Sequence, residues 1–234
     1  MNEEAALLRA ICEHPDEDTP RLVFADWLTE QGGAVNAAWA AGIRAQVWLA
    51  RGATDEALRF QACVFDSPYG LEKLHERLEL AAWAGNGWER GFPSDAAGSF
   101  SQLRDEWPGV AFRIPVRKLF VHEMTGADAD ELVTWPALTV LRELSCTGAW
   151  NAPRIDAVQA LAGCADLRNL KALRLYYVRT DDAAVTALLD SPHLAGLEVF
   201  QIGSEGDATA LSGAVRDRLT ARFGENVFDD AIPF

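Results

Sequence analysis

The 234-residue sequence predicts a mixed α/β fold, with a helical N-terminal domain over residues 1–108 and a repeat array over residues 109–234. Up to about residue 90, apolar residues recur at the spacing of amphipathic helices. From about residue 110, a set of apolar positions recurs in three copies. These patterns predict helices first, then short parallel strands that alternate with return segments, and a capping helix at the end.

Five apolar positions define the repeat, and its copies lie 29 and then 27 residues apart. This spacing is the leucine-rich-repeat signature, in which a short strand is followed by a segment that returns as a helix. One unit cannot bury its apolar face alone, so neighbouring units must stack into a short, irregular half-solenoid. The three copies are Leu132, Leu138, Leu141, Leu144 and Cys146; Leu161, Leu167, Leu170, Leu173 and Leu175; and Leu188, Leu194, Leu197, Phe200 and Ile202.

Side chains alternate along a strand, so alternate repeat residues should point inward. Val116, Leu119 and Val121 indicate one strand before the three copies, which makes about four strands. So short an array needs caps. We expect the helical half at one end and, at the other, a helix over about 208–223 with Asp207 as N-cap and Gly224 as C-cap. The residues expected to be buried on neighbouring parallel strands are 119, 121, 144, 146, 173, 175, 200 and 202.

The N-terminal half should begin with a helix over residues 3–12, which His14-Pro15 ends because the residue before proline avoids helical geometry. Thr19-Pro20 is typical of an N-cap followed by proline at the first helical position. Gly32-Gly33 should end this second helix. Further amphipathic segments run over about 36–50, 55–64 and 70–84.

Residues 20–32, PRLVFADWLTEQG, resemble the repeat-companion domain, a bacterial N-terminal domain that precedes leucine-rich or other repeats. Residues 41–46, AGIRAQ, are similar to the end of a family helix, with Ala and Gly in place of the family's Glu and Phe. Gly-Phe-Pro at 91–93 and Arg-Phe-Gly at 222–224 are similar to two further family segments. The resemblance implies a companion domain joined to repeats, and it brings no catalytic residue or ligand.

Charge and composition disfavour several classes of partner and compartment. The chain has 21 basic and 35 acidic residues and a net charge of −14, which disfavours nucleic acids and anionic membranes. The N-terminus lacks the basic region of a secretory signal, and no apolar run reaches the roughly 18 residues of a membrane span. The four cysteines form no disulfide framework, which favours reduced thiols and a cytoplasmic protein.

No motif commits the chain to catalysis, a metal or a cofactor. Cys12 and His14 have no further Cys or His ligand nearby, and neither an H-E-x-x-H pair nor a G-x-S-x-G elbow is present. Asp26 and Glu30 lie four residues apart and would share a helix face, so a carboxylate catalytic site stays an alternative. The structural interpretation gives Asp26 a backbone partner or Arg21, with Trp27 as a core anchor.

The outward, concave side of the strands is the predicted binding surface, and the predicted function is a non-enzymatic module that binds an unidentified protein. Phe120, Arg174 and Tyr176 should contribute most, because aromatic and Arg side chains dominate interface energetics and none of the three should fill the core. The alternative is an acidic inhibitor or immunity-type protein that docks a basic partner through Glu3, Glu4 and residues 16–18. The predicted binding residues are Lys118, Phe120, His122, Glu143, Ser145, Thr147, Arg174, Tyr176 and Gln201.

Overall fold

The chain forms two compact units, the first made of Met1–Ala96 and Gly109–Val116 and the second of Ala97–Pro108 and Arg117–Phe234. The sequence predicts one boundary after residue 108, whereas the chain passes between the units near residues 96, 108 and 116. The predicted helices over 55–64 and 70–84 lie mostly outside the described residues. The structure is a computed structural model that describes residues 3–56, 59, 72–73, 76, 87–125, 127–148, 157–178, 180–203 and 211–228.

Helices build most of the described part of the first unit. They are α1 (Glu3–Glu13), α2 (Asp18–Gln31) and α3 (Ala34–Ala50), and a hairpin of β1 (Trp88–Glu89) and β2 (Phe92–Pro93) follows. The predicted N-cap at Thr19 is wrong, because α2 starts at Asp18 and its N-cap, Glu17, makes no side-chain capping bond. Gly32 ends α2 with a φ of 69°, as predicted.

An aromatic cluster forms the core of the first unit. Phe24, Trp39 and Phe92 are fully buried, and their ring centroids lie 5.1, 5.8 and 5.4 Å apart. Trp27 stacks on Phe24 at 5.6 Å but is only half-buried. Phe24 is therefore the central anchor of α2, a role that the sequence had assigned to Trp27.

Gly91 connects the hairpin to α3. Its carbonyl accepts a hydrogen bond from Trp39 Nε1 at 2.8 Å, and its amide donates to Gln46 Oε1 at 2.6 Å. Its φ is +87°, and a Cβ at this position would lie 2.5 Å from Ile43 Cγ1. Two segments that carry the family resemblance, 41–46 and 91–93, are therefore in direct contact, and the contact requires glycine.

A five-stranded sheet organises the second unit. Its order is β3 (Asp95–Ser99), β4 (Lys118–Met124), β5 (Glu143–Gly148), β6 (Ala172–Tyr176) and β7 (Val199–Gly203), and the pairs from β4 to β7 are parallel. The predicted inward residues align across these strands, and none is more than 1% exposed. The strand prediction is therefore confirmed. The aligned residues are Leu119, Leu144, Leu173 and Phe200, and Val121, Cys146, Leu175 and Ile202.

The return segments repeat as well. Helices α5 (Asp128–Leu132), α6 (Ala157–Gly163) and α7 (Asp182–Leu189) are each followed by a short 3-10 helix that begins at residue 138, 165 or 192. Asp181 caps α7, since its carboxylate accepts from Ala184 N at 2.9 Å. The recurring leucines of these segments are all buried: Leu132, Leu138, Leu141, Leu161, Leu167, Leu170, Leu188, Leu194 and Leu197.

A basic residue directly precedes each of β4, β5 and β6 and reaches across to the next repeat. Such a bond links consecutive repeats beyond the sheet hydrogen bonds. These contacts were not predicted from the sequence, although the basic residue before each of these three strands is visible in it. The three contacts run from Arg117 Nη1 to Val140 O at 2.9 Å, from Arg142 Nη1 to Asn169 O at 3.0 Å, and from Lys171 Nζ to Gly196 O at 3.4 Å.

One end of the sheet carries two elements that the sequence did not predict. Strand β3 lies beside β4, and it leads directly into helix α4 (Phe100–Val110). Phe100 and Trp107 stack on Trp135 with centroids 5.2 and 6.1 Å apart, and Trp107 Nε1 donates to Pro136 O at 2.8 Å. The sheet therefore has five strands, one more than the repeats predict.

The other end is covered by helix α8 (Gly213–Phe223), whose Val215 and Leu219 are buried. Its N-cap is Ser212, whose hydroxyl accepts from Val215 N at 3.4 Å, so the start predicted at about 208 is wrong. The predicted cap, Asp207, lies outside the described residues. Gly224 is the C-cap with a φ of 82°, as predicted.

Candidate functional site

The parallel register brings most of the predicted binding residues together on one face of β4–β7, which we call the outward sheet face. Because the side chains opposite them form the buried core, these residues point away from it. The first row contains Lys118, Glu143, Ala172 and Val199, and the second contains Phe120, Ser145, Arg174 and Gln201.

Strand alternation also predicts a third row of His122, Thr147, Tyr176 and Gly203, which is only partly formed. Thr147, Tyr176 and Gly203 align, but the β4–β5 register shifts between Val121 and Met124. Glu123, within this irregularity, has a φ of +58°. The prediction that His122 pairs with Thr147 is therefore wrong. His122 instead contacts Phe120 edge-to-face at 4.4 Å, and burial lowers its pKa against the opposing effect of Glu123.

A polar network crosses the outward sheet face. Glu143 Oε1 lies 3.0 Å from Lys118 Nζ, and Glu143 Oε2 accepts from Arg174 Nη1 at 3.1 Å. Arg174 Nε also donates to Gln201 Oε1 at 2.9 Å. Gln201 Nε2 then donates to Asn226 O at 3.4 Å, beside the end of the repeat array. The network therefore links all four parallel strands.

Glu143 is held in its charged form by its neighbours. Partial burial raises the pKa of the carboxyl, but hydrogen bonds and charge from Lys118 and then Arg174 outweigh this effect and lower the pKa below its ordinary value. One carboxylate therefore lies between two cations. The two ion pairs therefore hold these three charged side chains in position on the sheet.

Two predicted binding residues are not available at the surface. Tyr176 is only 2% exposed, and its ring packs so closely on Gly203 that a Cβ there would lie 2.3 Å from Tyr176 Cδ1. Its hydroxyl lies 3.4 Å from Gln201 Oε1. Ser145 is also buried, at 7% exposure. The prediction that Tyr176 does not fill the core is wrong, because its ring is buried and fills space above the glycine.

Two exposed side chains in the sheet region were not among the predicted binding residues, although strand alternation already placed one of them, Val199, in the first row. Tyr177 follows β6, is 45% exposed and has a φ of +55°. Val199, on the first row, is 38% exposed. Tyr177 could have been noticed as the second residue of a Tyr-Tyr pair at the end of a predicted strand. Its positive φ could not have been predicted, because it depends on how the chain turns after β6.

The carboxylate pair on α2 is exposed to solvent. Asp26 Oδ1 accepts from Arg44 Nη2 at 2.7 Å, so the predicted partner Arg21 is wrong. The Asp26 side chain is 70% exposed, and Glu30 is exposed as well. Arg21 is instead buried and donates to Glu17 O at 3.0 Å. Solvent-exposed, ion-paired carboxylates are typical of a structured helix surface.

The acidic N-terminal residues are also partly engaged within the first unit. Asp18 lies 2.7 Å from Arg51 Nε and 3.5 Å from Arg90 Nε, and its side chain is only 16% exposed. Glu17 Oε1 lies 3.4 Å from His14 Nδ1 and remains largely exposed. Glu3 and Asp16 are exposed as well, and Glu4 is half-buried. The acidic surface is therefore smaller than the sequence implies, because Asp18 forms an internal ion-pair cluster.

Burial raises the pKa of the three described cysteine thiols, Cys12, Cys146 and Cys164. Cys12 and Cys146 are buried and free, and burial raises the pKa of each to about 12, opposed at Cys12 by Arg21. Cys63 and His75 lie outside the described residues. Within the described part of the chain, no group of three or more His, Cys, Asp or Glu is placed to hold a metal ion. No helix of that part is long and apolar enough to cross a membrane.

Comparisons with protein-family models, with curated proteins and with solved structures find no match to this chain.

Proposed function

We propose that the protein is a non-enzymatic protein-interaction module that binds a partner protein through the outward sheet face. In this proposal the second unit is a short leucine-rich-repeat half-solenoid, and the first is a repeat-companion-like domain. The observation that carries the proposal is the in-register outward sheet face, where Lys118, Phe120 and Arg174 stand on parallel strands whose opposite side is the buried core. A rigid surface loses little conformational entropy when a partner binds.

The composition of this face also supports binding. Interfaces are enriched in aromatic and Arg side chains at their centre, and Phe120 and Arg174 share one row. Both are half-buried, so each is positioned by its neighbours while part of it contacts solvent. The polar network holds Arg174 in one geometry, which favours specific over adaptable recognition.

The test is a capture experiment from an extract of the native host with a Lys118→Ala/Phe120→Ala variant beside wild type. The matched control is Trp48→Ala/Arg168→Ala, which likewise removes one aromatic and one cationic side chain, neither of which lies on the outward sheet face. We expect specific partners of the wild type to be lost with the face variant and kept with the control. Equal circular dichroism spectra would show that all three proteins are folded.

Partners that are retained by the face variant would contradict the proposal. The acidic alternative is checked in the same experiment by neutralising the surface acids Glu3, Glu4 and Glu17 together. Loss of partners with that variant alone would move the site to the N-terminal helices. The enzymatic alternative requires a turnover that is lost with Asp26→Asn.

A further inference from the structure

Charge is distributed unevenly along this chain. The strands β4–β7, each taken with the residue before it, contain five basic and three acidic residues, a net of +2. Since the whole chain has a net charge of −14, the remaining residues have −16. Strands β4–β7 therefore carry a small positive charge in a strongly acidic protein, and they repel an acidic partner less than the rest of the chain does.

On the outward sheet face itself, two cations share one carboxylate. Lys118 and Arg174 both contact Glu143, which leaves a net charge of +1 on these three side chains. The two hydrogen bonds of Arg174 use Nε and one Nη1 donor, out of the five N–H donors of a guanidinium. The side chain of Lys118 is 56% exposed, and that of Arg174 is 18% exposed.

Apolar groups flank these cations. In the second row, the small Ser145 lies between Phe120 on one side and Arg174 on the other. In the first row, Ala172 lies between Glu143 and the exposed Val199. Ser145 and Ala172 are themselves buried, so an occupant would contact the larger side chains around them. An occupant therefore meets cationic donors and apolar surface within the width of a few strands.

We propose that the occupant of the outward sheet face is an acidic segment of a partner protein, in which a carboxylate binds Lys118 and Arg174 and an adjacent apolar side chain packs against Phe120. This inference rests on the proposed function and specifies the chemistry of its partner. Glu143 is then an internal competitor, because it occupies donors that the partner's carboxylate would use. Replacing Glu143 should therefore strengthen binding of an acidic segment. A purely structural role for Glu143 would not produce this effect.

The probe is a fluorescein-labelled peptide of Glu, Leu and Gly, with the same peptide carrying Gln for Glu as its neutral counterpart, measured by fluorescence anisotropy. Wild type should bind the Glu peptide with an affinity that falls as salt rises. Lys118→Gln/Arg174→Gln should weaken this binding about tenfold or more, as loss of charge-assisted hydrogen bonds does. Lys118→Gln alone should weaken binding of the Glu peptide by a smaller factor. This single variant keeps the test valid if the double variant does not fold. Glu143→Gln should tighten it.

The matched control is Arg168→Gln/Arg218→Gln, which removes two exposed cations outside the outward sheet face. Equal weakening by this control would show that only net charge matters and would overturn the inference. The inference would also be overturned if the Glu peptide did not bind, or if single-stranded DNA bound as tightly as the Glu peptide. If the Glu peptide fails while host partners are still lost with Lys118→Ala/Phe120→Ala, the inference fails and the proposed function stands.

Discussion

The ring of Tyr176 on β6 packs against the backbone of Gly203 on β7, and a Cβ on Gly203 would lie 2.3 Å from Tyr176 Cδ1. Gly203→Ala should therefore displace a buried ring and destabilise the fold by about 1–3 kcal/mol, as overpacking does. The control is Gly196→Ala, since the nearest atoms to a Cβ there lie 4.0 Å away. Urea unfolding of both variants measures the difference, and an equal cost would contradict the contact.

Tyr176→Ala tests the same contact from the other side. Truncation of a large buried aromatic ring should cost about 3 kcal/mol or more. Phe120→Ala should cost less, because Phe120 is only half-buried. Free energies of unfolding from urea titrations give both values. A Tyr176→Ala protein as stable as wild type would show that the ring is surface, as the sequence had suggested.

Gly91 and Gly33 form a natural pair for separating backbone strain from steric contact. Both have a φ of +87°, but a Cβ on Gly91 would lie 2.5 Å from Ile43 Cγ1, whereas nothing lies within 4 Å at Gly33. Alanine at either site is destabilising because it must adopt a left-handed backbone conformation. Gly91→Ala should in addition lose about 1–3 kcal/mol through the clash. Thermal unfolding of the two variants is the measurement, and equal melting temperatures would contradict this account.

A fragment of residues 109–234 should not fold cooperatively. It retains the repeats but lacks β3 and α4, so β4 becomes an open edge and Trp135 loses its contacts with Phe100 and Trp107. We expect an insoluble or molten protein without near-ultraviolet circular dichroism. A sharp calorimetric transition of this fragment would show that the repeats need no such cover.

Stability should depend on pH through Glu143. Its pKa is lowered in the folded protein, so its contribution is present above the ordinary Glu range and is lost as pH falls through the lowered value. Wild type should therefore be more stable than Glu143→Gln at neutral pH, and the difference should close between about pH 5 and pH 3. Urea midpoints of both proteins across this range measure it. A difference independent of pH would mean that only the shape of Glu143 matters.

The burial of the repeat residues could be predicted from the sequence because their spacing encodes it. Leu144, Leu173 and Phe200 occupy the same place in copies of one motif, so a single alternation rule determines the inward face of every strand. The same rule identified Lys118, Phe120 and Arg174 as outward residues. The end of α2 could also be predicted, because Gly32 is a local backbone signal.

The partners of these side chains were decided only by the tertiary structure. Glu143 and Arg174 are 31 residues apart, and their contact depends on the register of two strands and on rotamers that no local rule specifies. Tyr176 is buried, and its ring lies where a side chain on Gly203 of β7 would be. The sequence by itself therefore determined the periodic architecture, since periodic burial is a local property repeated along the chain. The tertiary structure decided which outward groups are paired, buried or exposed, because pairing depends on residues that are distant in sequence.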